Sequence, residues 1–333
     1  MAVAARKIGD PHLDAAREPV ALRLQWYEGA PAGWEERLRR VPRSNLLQSF
    51  AYGRAMRLTR QLMPRFGLIC EGEQEIGLCL VQEASLLGAH AVVIDRGPLW
   101  YQPGNPDRDE AFAALVARLY PRRLMRFRRF MPEFPADPTY HDLMTRQGFR
   151  LARKDQIGQR SLWIDLTRDD VALRAGLRSN WRQHLAQAER STLTIEVDRT
   201  GALLPFMLNR YAADKTARGY PGPHPSLLRT IALPCFASGS GLVLRALHQG
   251  HAVASVLILG HGRSATYQAG WSGEAGRKLS AHHLLLWRAF GTLRAQGYRD
   301  FDLGGINPEQ AEGVTIFKKG MGGEAYELLP IYR

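Results

Sequence analysis

Cysteine is scarce in this chain of 333 residues, and its three cysteines, Cys70, Cys79 and Cys235, are widely scattered. Two of them fall in apolar runs that read as strands, so the sequence offers neither a disulfide framework nor a zinc site. No apolar run approaches the roughly 18 residues of a membrane-spanning helix, and the N-terminus lacks the apolar core of a signal peptide. These absences predict a cytoplasmic protein without bound metal and with at most peripheral membrane contact.

The catalytic motifs of several large enzyme classes are also missing. The sequence contains no Gly-x-Ser-x-Gly, His-Glu-x-x-His or Walker pattern, which leaves hydrolase, zinc-protease and NTPase chemistry without support. The histidines within residues 248–261 and at 282–283 have no carboxylate or cysteine at ligand spacing, so we interpret them as structural or surface residues.

Acidic residues are outnumbered, since Lys+Arg 45 against Asp+Glu 32 gives a net charge of +13. Such an excess predicts an anionic partner, which is nucleic acid, a phosphorylated substrate or a membrane surface. Arginine supplies most of the excess, because lysine occurs at only six positions. A genomic base bias would produce the same preference, so the charge alone does not choose among these partners.

One order of predicted elements occurs twice along the chain. A strand, helices, a hairpin, a strand, a helix and a further strand are predicted within residues 22–148, with a glycine turn at 71–73 in the hairpin. The same order returns after residue 161, with a hairpin turn at 249–250. This recurrence indicates an internal structural repeat.

The length and the repeat together predict two domains of an α+β fold. We assign the first domain to residues 21–155 and the second to residues 156–333, because a polar link lies within residues 151–160. Residues 1–20 are mixed polar and punctuated by proline, so we expect a flexible segment there.

An arginine-rich helix is predicted over residues 169–190, at the start of the second half. Arg174, Arg178 and Arg182 follow one another on it at i, i+4 spacing, which predicts a continuous cationic stripe. The stripe could follow RNA phosphates or an anionic lipid head group. The alternative is an ordinary solvated helix face.

Two further helices are predicted. Residues 47–60 form an amphipathic helix with Arg54 and Arg57 on its basic face. Residues 226–237 form another, which we expect to be interrupted near Pro234.

The most informative stretch lies near the end of the sequence. Residues 298–303 read as a short strand with Asp302 at its end, Gly304 and Gly305 break it, and the β-branched run at 314–319 is predicted to be extended. A glycine turn beside a lysine brings backbone amides and one cation to a reacting group. The alternative is a glycine-rich hairpin with solvated lysines.

Four short motifs follow one another along the chain. They are Gln48-Ser49-Phe50-Ala51-Tyr52-Gly53, Arg96-Gly97-Pro98, the basic helix beginning at Arg178, and Asp300-Phe301-Asp302-Leu303-Gly304-Gly305-Ile306 followed by Ile316-Phe317-Lys318-Lys319-Gly320-Met321-Gly322-Gly323. In this order they resemble the signature of the FemABX-like aminoacyltransferases, which belong to the wider GNAT-like acyltransferase superfamily. The resemblance covers about residues 20–330.

This resemblance implies two tandem GNAT-like domains, each a mixed, mainly antiparallel sheet flanked by helices, with a cleft between them. It also implies transfer of an amino acid from an aminoacyl-tRNA to an amine, often on a peptidoglycan precursor. No long heptad segment occurs between residues 190 and 206, so the chain resembles the compact members that have no coiled-coil arm for tRNA docking.

The resemblance also suggests roles for individual residues. Lys318 matches the lysine that meets the terminal adenosine of the tRNA, Phe317 would be a stacking surface beside it, and Gly304 and Gly305 would approach the substrate. Asp302 would orient the substrate or take a proton, with capping of the glycine turn as the alternative. The remaining candidates for substrate binding are Arg54, Arg57, Arg178 and Arg182 for phosphates and Tyr267 for the cleft, where a core aromatic is the alternative.

Two departures from the family pattern concern the acceptor and the donor. Arg128 stands where we align an acceptor-binding aspartate, which weakens the case for a peptidoglycan acceptor. The turn that begins at Arg277 and Lys278 lacks the glycines with which acyl-CoA enzymes bind pyrophosphate at a helix N-terminus, although Ser280 could cap that helix and the two cations could still hold phosphate.

We therefore predict an aminoacyl-tRNA-dependent aminoacyltransferase that acts on an amine-bearing anionic acceptor, either a cell-wall precursor or a specialised metabolite. Aminoacyl-tRNA would be the co-substrate, and no other cofactor is expected. One alternative is an N-acyltransferase that uses acyl-CoA or a carrier protein and acts on a polysaccharide or lipid precursor. The other is a non-catalytic scaffold that binds anions.

Overall fold

The computed structural model describes residues 21–309 and 311–333, so the flexible segment predicted for residues 1–20 lies outside the described residues. Two β-sheets flanked by helices make an α+β fold. The first sheet contains β1 (Leu22–Trp26), β2 (Met63–Glu71), β3 (Gln74–Leu86), β4 (Ala89–Gly97), β5 (Leu99–Trp100) and β6 (Arg126–Pro132). The second contains β7 (Arg160–Asp165), β8 (Thr194–Asp198), β9 (Gly241–His248), β10 (His251–His261), β11 (Ser264–Ser272), β12 (Asp300–Asp302) and β13 (Glu324–Glu327).

Helices connect the strands in both halves. The first half has α1 (Pro31–Leu38), α2 (Phe50–Arg60), α3 (Pro106–Leu119) and α4 (Pro138–Arg146). The second has α5 (Asp170–Gly176), α6 (Ser179–Glu189), α7 (Leu204–Arg218), α8 (Pro225–Ala237), α9 (Glu274–Lys278), α10 (Ala281–Ala295) and α11 (Glu312–Lys319). Ser49 caps α2 by accepting a hydrogen bond from the amide of Tyr52. No helix within the described ranges is long and apolar enough to cross a bilayer.

The two sheets share one strand order, which is β1-β2-β3-β4-β6 in the first and β8-β9-β10-β11-β12 in the second. Every step along both paths is antiparallel except the last, where β6 lies parallel to β4 and β12 lies parallel to β11. A parallel step needs a crossover connection, which α3 provides in the first half and α9 and α10 provide in the second. The predicted repeat of two mixed, mainly antiparallel sheets is thereby confirmed.

An apolar cluster joins the two halves. Tyr52 and Leu80 of the first half are buried together with Leu208 of α7, Ile231 of α8 and Leu257 of β10. Because burial of apolar surface is the dominant favourable term in folding, this shared core holds the two sheets together.

Residues 328–333 return from the second sheet to the first half. Tyr332 forms an antiparallel bridge with Phe130 of β6. Tyr332 and Leu329 are both buried in the core of the first half. The predicted second domain, 156–333, thus contributes its last residues to the core of the first half, and the boundary itself stays a prediction.

The segment predicted as a single helix over residues 169–190 consists of two helices, α5 and α6. Leu177, between them, has extended backbone angles of φ −68° and ψ 141°, and its side chain is buried. The prediction is wrong because Gly176 weakens the helix at this point and the chain turns to bury Leu177. The turn takes Arg174 out of line with Arg178, so the continuous cationic stripe does not form.

Residues 314–319, predicted to be extended, lie in the helix α11. Thr315 and Lys318 are buried three positions apart, whereas Val314 and Ile316 are 49% and 57% exposed. The β-branched side chains favour a strand only weakly, and packing of one helical stripe outweighs that preference.

The helix predicted to be interrupted near Pro234 is continuous, because α8 runs through this residue. Pro234 lies in the last turn of α8, where its missing N–H removes only the hydrogen bond to the carbonyl of Thr230, and the helix tolerates this single loss.

Candidate active site

The carboxylate of Asp302, at the end of β12, lies at the centre of a buried polar cluster and is 1% exposed. Its Oδ1 accepts hydrogen bonds from the amide of Gly304 at 2.9 Å and from the hydroxyl of Ser161. Its Oδ2 accepts from the Tyr326 hydroxyl at 2.8 Å and from Nη1 of Arg96 at 3.4 Å. With four donors around it and no exposure to solvent, this carboxylate is suited to fixing the glycine turn rather than to taking a proton.

Arg96 brings the first half of the chain to this cluster. It precedes Gly97 near the end of β4, and its guanidinium forms a two-point ion pair with Glu133 at 2.7 and 2.8 Å. Burial would lower the pKa of Arg96, but Glu133, Tyr326 and Asp302 together raise it well above its ordinary value. The arginine therefore stays charged while it links carboxylates from both halves.

The four motifs that resemble the aminoacyltransferases meet at this point. The side-chain amide of Gln48 donates a hydrogen bond to the backbone carbonyl of Asp95 at 2.7 Å, which fixes the end of β4 beside α2. The amide N–H of Arg178 donates to the carbonyl of Gly320 at 2.9 Å, which fixes the start of α6 beside the end of α11. Arg96 and Asp302 then join these two pairs of motifs.

Lys318 of α11 lies next to the glycine turn and is 7% exposed. Its Nζ donates to the carbonyl oxygens of Gly304 at 3.2 Å and Gly305 at 2.9 Å, and it lies 5.4 Å from the centre of the Tyr267 ring. Burial lowers the pKa of Lys318 to about 8, although the charge of Asp302 opposes the shift. Two of the three ammonium N–H groups are thus engaged, and the third can serve a substrate.

Gly304 requires glycine because its φ is +70° and an added Cβ would lie 2.6 Å from the carbonyl oxygen of Tyr267. Gly305 is less constrained, since an added Cβ would meet only the side-chain nitrogen of Gln159 at 3.8 Å. The predicted turn therefore depends mainly on Gly304, and both glycines direct their carbonyls to Lys318.

Phe317 packs against the start of α10 rather than standing free. Its ring centre lies 4.9 Å from that of His283, 6.1 Å from that of His282 and 6.0 Å from that of Trp181. Burial lowers the pKa values of His282 and His283 to about 4, so both rings are neutral near pH 7. His282 also lies 3.2 Å from the hydroxyl of Tyr267, which makes Phe317 and Tyr267 parts of one aromatic wall beside Lys318.

The predicted cationic stripe is divided among three different environments. Arg174 forms an ion pair with Glu189 at 2.6 Å. Arg182 donates to the backbone carbonyls of Ala175 and Leu177, so it stabilises the turn between α5 and α6. Arg178 lies at the start of α6 and is exposed, as Arg182 is.

Arg54 and Arg57 are both exposed on α2 and take no part in the buried cluster around Asp302. Their side chains have no ionic partner among the residues that the structure describes. Arg128 is turned away from the cluster as well, because its Nη1 donates to the carbonyl of Tyr120 at 3.1 Å. Its neighbour Arg129 faces the opposite side of β6 and forms an ion pair with the buried Asp95 at 2.7 Å.

The turn before α10, where acyl-CoA relatives would bind pyrophosphate, is filled by side chains of this chain. Ser280 is 5% exposed, and its hydroxyl lies within 3.0 Å of His184 Nδ1 and donates to the side chain of Gln187 at 3.2 Å. Arg277 donates to a backbone carbonyl at 2.6 Å, and Lys278 forms an ion pair one helical turn away at 2.8 Å. Neither cation is directed at the first turn of α10.

Sequence reasoning did not find Ser161, Glu133 and Tyr326, which complete the cluster around Asp302. Arg96 was recognised only as part of a turn motif, although its charge joins the two halves. The only local signal was the Arg96-Gly97-Pro98 motif itself. Within the two described ranges, no group of three or more histidine, cysteine or acidic residues could hold a metal ion.

Comparison with known proteins agrees with this architecture. Residues 173–326 match the family described as "Acetyltransferase (GNAT) domain". The solved structure of FemX is similar over 92% of this chain and 96% of its own, with a TM-score of 0.75 and 15% sequence identity. The search of curated proteins found no match.

Two further solved structures are similar over most of their length. One is the C-terminal domain assigned to a lysylphosphatidylglycerol synthetase of Agrobacterium fabrum, with 16% identity, a TM-score of 0.51 and 91% of each chain covered. The other is L-PGS of Bacillus licheniformis, with 15% identity, a TM-score of 0.52 and coverage of 91% of this chain and 92% of that one. The chain therefore has the FemX-like fold of two GNAT-like units. The match of residues 173–326 to the GNAT acetyltransferase domain identifies it as an acyltransferase.

Proposed function

We propose that this acyltransferase moves an aminoacyl group from an aminoacyl-tRNA onto an amine-bearing, anionic acceptor. The observation that carries the proposal is Lys318, a buried lysine that donates two N–H groups to the carbonyls of Gly304 and Gly305 and has a third N–H for a substrate. Preorganised donors in a site shielded from water are the largest single contribution to many acyl-transfer reactions.

The reaction forms an amide and breaks an ester. The neutral amine of the acceptor attacks the ester carbonyl, and negative charge develops on the carbonyl oxygen. Lys318 donates its free N–H to that oxygen, and the pKa of about 8 keeps the lysine largely protonated near pH 7. The ribose oxygen of the tRNA then leaves with a proton that comes from the attacking amine. In this scheme Asp302 is a positioning residue, because it fixes the glycine turn on which Lys318 rests.

The choice of donor rests on the turn before α10. Pyrophosphate binding needs open amides at a helix N-terminus. Here Ser280 and Ala281 are 5% and 0% exposed, and α6 covers the turn, which disfavours CoA as the donor. The likeness to FemX and the excess of basic residues favour a donor that carries RNA phosphates, with the exposed Arg178 as a candidate contact.

The acceptor is proposed to be anionic because the open surface of the first half is basic. Arg54 and Arg57 are exposed on α2 and are the candidate ligands for a phosphate or carboxylate of the acceptor. A cell-wall precursor and a specialised metabolite both fit this description, and we expect the reaction to occur in the cytoplasm, where charged tRNA is available.

The proposal is tested by incubating the purified chain with tRNA charged with radiolabelled amino acids and with a small-molecule extract. Label should move to an acceptor, and ribonuclease should abolish the transfer. The Lys318→Met variant should transfer label roughly 30- to 1000-fold more slowly, and the exposed Lys319→Met variant should behave as the wild type. Turnover with acetyl-CoA that ribonuclease does not affect would refute the tRNA donor.

A second candidate, N-acyl transfer from acyl-CoA, is favoured by the family match of residues 173–326. The same assay separates the two, because a CoA-dependent enzyme would release free thiol from acyl-CoA in the presence of the extract.

A further inference from the structure

One end of the first sheet exposes a group of large apolar side chains. Leu86 and Leu87 in the turn between β3 and β4 are 74% and 92% exposed. Leu124, Met125 and Phe127 at the start of β6 are 95%, 49% and 68% exposed. We call these five residues the apolar tip. Single exposed apolar residues are normal, but a group of this size at one place needs an explanation.

The members of the apolar tip are neighbours in space. Phe127 pairs with Ala91 in the parallel ladder between β6 and β4. The amide of His90 donates to the carbonyl of Met125 at 2.8 Å, and Leu86 pairs with Ala89 one strand away. Adjacent strands lie about 4.8 Å apart, and β4 separates β3 from β6, so Leu86 and Phe127 lie about 10 Å apart across the same end of the sheet.

The backbone of the apolar tip is unusual for these residue types. Leu87 has φ +48° and Met125 has φ +60°, and both angles lie in the left-handed region that favours glycine or asparagine. A two-residue hairpin turn normally has Asn-Gly where this chain has Leu87-Gly88. A leucine that is strained and also 92% exposed gains nothing in water. A leucine at position 87 is explained if an apolar environment other than water covers its side chain.

Arginines surround the apolar tip. Residues 111–132 contain six arginines and no acidic residue, and Arg118, Arg122 and Arg123 are exposed. Burial lowers the pKa of Arg128, and the neighbouring charges of Arg122 and Arg126 lower it further, as expected for cations crowded together without a counterion.

We propose that the apolar tip and its arginines dock on the surface of an anionic lipid bilayer. The five apolar side chains would enter the boundary between head groups and acyl chains, and Arg118, Arg122 and Arg123 would contact lipid phosphates. Both parts are needed, because apolar loops alone do not select charge and exposed arginines alone bind only through screened electrostatics. This inference does not depend on the proposed function.

The docked surface leads towards the active site. Phe127 and Arg129 lie on the same face of β6, and Arg129 pairs with Asp95, the residue before Arg96. Phe127 and Met131, which pairs with Asp95, are separated by about 13 Å along the strand. A bilayer at the apolar tip would thus lie about 13 Å along β6 from the end of the strand that pairs with Asp95, the residue before Arg96.

The test is sedimentation of the full chain with vesicles of phosphatidylglycerol and phosphatidylcholine, against vesicles of phosphatidylcholine alone. We expect at least tenfold more binding to the anionic vesicles, and at least a tenfold loss for the double variant Leu87→Asp, Leu124→Asp. The matched control is Leu58→Asp, Val171→Asp, which adds the same charges at positions that are 62% and 79% exposed elsewhere. This control should retain most of the binding.

A second variant tests the arginines without changing the apolar side chains. Arg122→Gln, Arg123→Gln should reduce binding severalfold and make it less sensitive to salt. The four residues substituted in these two variants are all exposed, so thermal unfolding should be unchanged and loss of folding would not explain the result. Equal binding of the tip variant and its control would overturn the proposal. So would self-association of the wild type that the tip variant abolishes, because the patch would then be covered by a second copy of the chain.

Discussion

Replacing Lys318 with methionine separates the catalytic value of this lysine from its effect on stability. Methionine fills a similar volume but donates no hydrogen bond. If Lys318 stabilises the oxyanion, its loss should cost about 2 to 4 kcal/mol in transition-state stabilisation, which is roughly 30- to 1000-fold in turnover. Because only the protonated Lys318 has a third N–H besides the two bound to the glycine carbonyls, wild-type turnover should also decline as the pH rises above about 8.

The stability of the wild type should depend on pH in a way that the variant does not. Folding lowers the pKa of Lys318 from 10.5 to about 8. Between these values the unfolded chain binds more protons than the folded chain, so the free energy of unfolding rises with pH across this window. This lowering of the pKa by about 2.5 corresponds to about 3 kcal/mol. Between pH 7 and pH 10.5, the free energy of unfolding of the wild type should therefore rise by at most this amount relative to that of Lys318→Met.

The assay is urea unfolding of both proteins at several pH values, with Lys319→Met as a control for the loss of one exposed charge. Subtracting the variant from the wild type cancels the titration of all other groups. Parallel stability curves for wild type and Lys318→Met would refute the buried, neutralising environment assigned to this lysine. Full turnover in a folded Lys318→Met protein would refute its role in the reaction.

The remaining predictions concern the turn, the ionic cluster and the returning segment. Gly304→Ala should lower both activity and stability, because the left-handed backbone and the carbonyl of Tyr267 exclude a Cβ. Gly305→Ala should be tolerated, since its added Cβ meets no close atom. Activity assays and thermal unfolding of the two variants test this difference. Arg96→Met should destabilise the fold by about 3 to 5 kcal/mol in urea, since it leaves buried carboxylates unpaired, and a loss below about 1 kcal/mol would contradict that burial. Tyr332→Ala should cost about 3 to 5 kcal/mol as a cavity in the first core, and unchanged unfolding would mean that residues 328–333 do not stabilise it.

Local signals in the sequence were sufficient for the repeat and for the glycine turn. The hairpin turns at residues 71–73 and 249–250 contain glycine between apolar runs, and such short-range patterns report directly on backbone geometry. Gly304 could be assigned to a turn for the same reason, since it adopts the positive φ that glycine permits.

The rest of the site depends on contacts that spacing does not encode. Arg96 and Asp302 are 206 residues apart, and no local sequence pattern around either residue predicts that the two interact. The break at Leu177 and the helical form of α11 are likewise decided by which side chains become buried, which outweighs weak local propensities. The cationic stripe predicted for Arg174, Arg178 and Arg182 depended on an unbroken helix, and with the break at Leu177, Arg174 forms an ion pair with Glu189.

The return of residues 328–333 to the first half has a consequence for how the protein is made. Leu329 and Tyr332 belong to the core that the N-terminal sheet builds around Phe112 and Phe130. That core stays incomplete while the second half is still being translated, a delay on the order of 10 s at ordinary elongation rates. The core of the first half therefore cannot be completed during synthesis until residues 328–333 have left the ribosome.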